Sequence, residues 1–97
     1  MKKSLILLIS AFIYTVMATA ATTDNADSAY NQKRYQDAIK IYEAQAQESG
    51  TSSDLYYNLG CAHYKMQNVP QAILYFERAL VLDPSNADAR ANLQFVR

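Results

Sequence analysis

Apolar residues are arranged along this chain in two ways. From Ser4 to Met17 they form a mostly apolar run without a single charge. Further on they recur at intervals of three and four among polar residues, the period of helices with one buried face. Ile73, Phe76, Ala79 and Leu80 mark one such stripe. The helix before it runs through DLYYNLGCAHYKM, with Thr51 and Ser53 as candidate N-caps and Thr51-x-x-Asp54 resembling a capping box with Asp for Glu. Gln67-Asn68 makes the turn, Asn68 being tolerant of left-handed backbone. Pro70 suits the first turn of the next helix, and Asp83-Pro84 ends it, because the residue before Pro is pushed out of helical geometry. Ser85 and Asn86 offer caps for a last helix. The pattern predicts an all-α chain of five helices, at about 24–33, 36–47, 54–66, 70–82 and 86–97.

The stripes repeat. RYQDAIKIYEA (34–44) aligns with NVPQAILYFER (68–78) at an offset of 34 residues: Ala38 on Ala72, Ile39 on Ile73, Tyr42 on Phe76, Glu43 on Glu77. Upstream, Tyr30 falls on Tyr64 in the same register. A fixed period of this length is the signature of stacked helical hairpins. The fullest unit is residues 53–86, with Tyr56, Leu59-Gly60, His63, Ala72, Phe76, Ala79 and Pro84 at fixed spacings. It closely resembles a tetratricopeptide repeat, with Tyr for Trp at Tyr56 and His for Tyr at His63. In the first unit, 21–52, Asn25 replaces the Leu and Gln45 the second Ala; a third unit gives one helix, 87–97, with Arg90 at the aromatic position and Leu93 kept. The resemblance implies a short solenoid of about two and a half helix–turn–helix repeats. Small residues set the hairpin angles: Gly60 and Ala72 within a unit, Ala79 between units.

The N-terminus changes the setting. Lys2 and Lys3 precede the apolar run, and Ala18-Thr19-Ala20 follows it, the three-part order of a secretory signal peptide over residues 1–20. The apolar run is short for a spanning helix, which needs about 20 residues. Cleavage after Ala20 leaves residues 21–97 as an exported domain, in the periplasm or cell envelope. If the segment is instead retained, the chain is a membrane-anchored adaptor. Losing Lys2 and Lys3 leaves seven basic against nine acidic residues, a net charge of −2. That is no basis for a nucleic-acid partner, which demands a basic face. A single Cys makes no internal disulfide, so packing alone holds the domain.

Cys61 and His63 invite a catalytic or metal reading. Two residues on one helix are about 200° apart, so they cannot act on one atom together. A nucleophilic Cys needs a base within hydrogen-bond reach, and His63 is the only His. Zinc wants three or four ligands. The expectation is therefore no enzyme, no metal and no cofactor, with His63 as a packing residue at a helix–helix contact.

Function then lies on the concave face lined by the first helix of each unit. By analogy with the family, that face carries Asp27, Tyr30 and Asn31 in unit one. In unit two it carries Tyr57, Asn58, Cys61, Tyr64 and Lys65. The last helix adds Asn92, with Phe95 beside it. Tyr gives rigid amphipathic contacts, and Asn and Lys bind backbone or carboxylate. Some relatives grip a C-terminal carboxylate with Lys, Asn and Arg; here only Asn58 is kept, and Asp27, Ala91 and Phe95 stand at the other positions, so no such clamp is expected. More narrowly, the signal, YxxAIxxYE and LYYNLGxAxYKxxNxxxAILYFERALxLDPxNxDARANL resemble the exported BatE-like proteins of the Bacteroides aerotolerance group. That resemblance implies a protein or peptide partner in an envelope complex. Self-association is a further use, because a short solenoid leaves its ends open.

Overall fold

The computed structural model describes residues 25–97, and the signal segment and its cleavage site lie outside the described residues. Among the described residues five helices follow one another: α1 (Ala26–Asn31), α2 (Tyr35–Ser49), α3 (Ser53–Lys65), α4 (Val69–Leu82) and α5 (Ala87–Val96). Helix α1 packs on α2, α2 on α3, α3 on α4 and α4 on α5, with the α3–α4 hairpin the most extensive contact. This is the short all-α helical repeat that the periodicity predicts.

Helix α1 starts at Ala26 rather than near residue 24, because Asn25 does what the missing Leu could not. Its Oδ1 accepts the Ser28 N–H at 2.7 Å and caps the helix. The cap of α3 also differs from expectation. It is Ser52, whose side chain accepts the Leu55 N–H, and neither Thr51 nor Ser53. Ser53 lies inside the first turn and donates its hydroxyl to the Ala79 carbonyl at 2.8 Å. Asn86, not Ser85, caps α5: its Oδ1 accepts from Ala89 N–H while its Nδ2 donates to Ser53 Oγ at 2.8 Å. Ser85 instead binds the Asp83 carboxylate, with both its N–H and its hydroxyl. The chain Asn86–Ser53–Ala79 thus ties the starts of α3 and α5 to the end of α4, which sets these two helices side by side.

The two hairpin turns are built alike. Gln67 (φ 62°) and Lys33 (φ 63°) take left-handed backbone, 34 residues apart; Asn68 does not. Gln67 N–H donates to Tyr64 O and Asn68 N–H to His63 O, while Lys33 N–H donates to Tyr30 O and Arg34 N–H to Ala29 O. These are the 5→2 and 6→1 bonds of a Schellman motif. Position in the motif, not side-chain type, decides which residue turns left-handed. Pro70 lies in the first turn of α4, and Asp83 ends that helix as expected.

The core is built on alanine. Ala29, Ala38, Ala62, Ala72, Ala79 and Ala89 have no exposed surface, and the large side chains Phe76 and Leu59 fill the space between helices. Burying each large side chain is worth roughly 1.5–3 kcal/mol. In α4 the fully buried stripe is Ala72, Phe76 and Ala79; Ile73 and Leu80 flank it half-buried, because the stripe is narrower than the spacing alone indicates.

Candidate functional site

The residues expected on the concave face come together. One cleft of about 280 Å³ is lined by Tyr30, Tyr57, Cys61, Tyr64, Lys65 and Asn92. A second, of about 320 Å³, is lined by Asp27, Tyr30, Asn31, Tyr57, Asn58 and Cys61. Tyr30, Tyr57 and Cys61 belong to both, so the two form one groove across α1, α3 and α5. All nine positions therefore face a single surface.

Four lining residues fall outside the nine that the sequence singles out, Phe95 among them. Phe76 and Val96 close the first cleft, where Phe95 also stands, and Tyr42 enters the second. Phe76 and Tyr42 are core residues, and their 34-residue correspondence marks them as such. Nothing in a sequence pattern says that a buried ring also forms the wall of a groove. Tyr42 donates its hydroxyl to Asp27 Oδ1 at 2.8 Å, a contact between the two helices of the first unit. Burial and this bond to a carboxylate push the Tyr42 phenol well above its ordinary range.

The centre of the groove is a small polar network. Asn92 Nδ2 reaches Cys61 Sγ at 3.5 Å, so α5 touches α3 through an amide–thiol contact. Burial, then hydrogen bonding to Cys61, raises the Tyr57 phenol to about 12. The Cys61 thiol is raised too, chiefly by burial, against the lowering influence of Tyr57, Asn92 and Lys65. A raised thiol is the reverse of what a nucleophile needs. Around this network stand aromatic rings. Tyr64 and Phe95 meet edge to face with centroids 6.1 Å apart, and Tyr57 lies 6.0 Å from Phe76. Phe95 is 76% exposed, a large aromatic held at the rim.

His63 faces elsewhere. Its ring stacks on Tyr75 at 5.3 Å with 12° between planes, and burial lowers its pKa against the opposing pull of Glu43. It is the packing residue expected at that position. Among the described residues, no group of three or more His, Cys, Asp or Glu could hold a metal ion. No helix among them is long and apolar enough to cross a membrane.

Among the described residues, an all-α stack of helical hairpins presents one aromatic groove. The tetratricopeptide repeat family model matches residues 53–86, the α3–α4 hairpin with its flanking turn. Over those 34 residues the chain is similar to the tetratricopeptide repeat, a family generally of non-catalytic modules that bind protein partners. No curated protein matches the chain.

Proposed function

We propose that this chain is an exported scaffold of the bacterial cell envelope whose concave groove docks a protein or peptide partner. The observation that carries the reading is the convergence of all nine expected positions, from three helices and three units, on one groove. A structural repeat needs its stacking faces to fold; it does not need Phe95, Tyr64 and Lys65 exposed on the same surface. Large aromatic rings beside amides and one charge are the composition of binding hot spots. The envelope setting is supported by the signal-like order of residues 1–20, and the BatE-like resemblance points to an aerotolerance-type complex.

The test is paired capture from cross-linked envelope extract, using the chain and a Tyr57→Ala/Asn58→Ala variant. Loss of the same captured proteins from the variant supports the groove. Equal capture by both puts binding on another surface. Capture of nothing, with the chain eluting as an oligomer, makes self-association the better reading. The N-terminus of the purified cellular protein, read by mass spectrometry, tests export separately. A start near Ala21 supports cleavage, and an intact Met1 supports the membrane-anchored adaptor instead.

A further inference from the structure

The groove is electrically polarised, and this selects among partners. Asp27 lines only the second cleft and Lys65 lines only the first, with the aromatic and thiol residues Tyr30, Tyr57 and Cys61 shared between them. Among the described residues, neither charge is neutralised by an ion pair: Asp27 accepts the neutral Tyr42 hydroxyl alone, and Lys65 has no carboxylate within ion-pair distance. The two ends therefore offer opposite charges to whatever lies between them, across aromatic rings and the Tyr57–Cys61–Asn92 network, where Asp88 of α5 adds negative charge near Tyr57 and Cys61.

Resting on the groove-docking reading, we propose that the occupant is an extended peptide segment with a large apolar anchor between one acidic and one basic side chain. The acidic side chain pairs with Lys65 and the basic one with Asp27. The anchor enters the first cleft among Tyr64, Phe95 and Phe76, whose 280 Å³ takes one large side chain rather than a helix. The amides of Asn58 and Asn92 are then left for the peptide backbone, each having both donor and acceptor capacity.

The spacing follows from the repeat. Asp27 is the counterpart of Cys61 at the 34-residue offset, and Lys65 lies one helical turn beyond Cys61. Neighbouring helix axes are roughly 10 Å apart, and four residues rise about 6 Å along a helix, so the two charges stand about 12 Å apart. An extended chain advances about 3.3 Å per residue, which places the acidic and basic residues three or four positions apart. A segment of one charge sign meets a like charge at one end of the groove. A highly acidic or highly basic partner is therefore disfavoured, and a polyanion such as nucleic acid most of all.

The experiment is selection of a displayed random decapeptide library on the full chain, followed by affinity measurement of the enriched peptides. Three variants run beside it. Lys65→Glu reverses one end; Asp27→Asn removes the other charge but keeps an acceptor for Tyr42; Tyr57→Ala/Asn58→Ala removes the floor. The expected result is enrichment of an apolar anchor flanked by opposite charges three or four residues apart. Lys65→Glu then weakens those peptides about three- to tenfold, as exposed ion pairs allow, with the effect shrinking at high salt. Enriched peptides with the anchor but no charge order, or unchanged by Lys65→Glu, overturn this inference and leave groove docking standing. Failure to enrich any peptide above the Tyr57→Ala/Asn58→Ala background overturns this inference, while loss or retention of captured envelope proteins decides groove docking separately.

Discussion

A Cβ placed on Gly60 of α3 would stand 2.6 Å from Cε1 of Phe76 on α4, and 2.7 Å from its Cδ1. Glycine here is a matter of space, not of backbone freedom, since Gly60 lies inside a regular helix. The Phe76 ring is 1% exposed and has no room to give. Gly60→Ala is expected to destabilise the chain despite alanine's better helix propensity, because overpacking costs about 1–3 kcal/mol and the propensity gain is about 1. Gly60→Leu and Ala72→Leu cost more. Lys65→Ala stays within about 0.5 kcal/mol of the parent, as exposed substitutions do. Urea titration orders the four; equal midpoints would refute the packing account.

The Asn86–Ser53–Ala79 chain gives a second expectation. Ser53→Ala leaves Asn86 Nδ2 without its partner at a half-buried site, while the Ala79 carbonyl keeps the Asp83 N–H. The cost is about 1 kcal/mol, the range for a broken hydrogen bond that strands one donor. Because the bond aligns α3 with α5, amide shifts of Cys61 and Asn92 should move as well. Destabilisation without any change in the groove would separate stability from alignment.

Left-handed Lys33 and Gln67 lack the residue best suited to their backbone. Gln67→Gly should stabilise the chain by about 0.5–1 kcal/mol, and Lys33→Gly similarly, since only glycine occupies this region without a Cβ penalty. Gln67→Val should do the opposite. A thermal melt reads both.

Stability should depend on pH through His63. Its Nε2 is buried without a hydrogen-bond partner, and its folded pKa is lowered, first by burial, with Glu43 opposing. Arg78, whose guanidinium carbon lies 5.4 Å from the Tyr75 ring centroid, adds a second positive group on the α4 side. A depressed folded pKa means that the unfolded chain binds the proton first. The neutral-His contribution is thus complete above the unfolded value of about 6.5 and is lost as pH falls through the lower folded value. The melting temperature of the parent should fall across that window relative to His63→Phe. Parallel curves for the two proteins would exclude His63 as the cause.

Much of this was legible before any coordinate. The period of 34 fixes the unit, and the alternation of large and small apolar residues fixes the faces. Analogy with the family the repeat resembles then places Tyr57, Asn58, Cys61 and Asn92 on one surface. What was not legible depends on which of several available bonds the folded chain makes, some local and some distant in sequence. Ser53 looks like a cap by type, yet its hydroxyl is drawn to Ala79, leaving Ser52 to cap α3. Asn68 looks like the left-handed residue, yet the Schellman bonds assign that role to Gln67. The Tyr42–Asp27 bond joins residues whose pairing no local pattern shows. Local chemistry proposes several partners for a polar group, and tertiary packing chooses among them.

The central claim is that the groove, not another face, is the working surface. A photo-reactive amino acid at Lys65 on the groove rim, and another at exposed Gln71 on α4, test it in living cells. The account predicts discrete cross-linked adducts from position 65 and none of those species from position 71. The same adducts from position 71, or none from position 65, would contradict it.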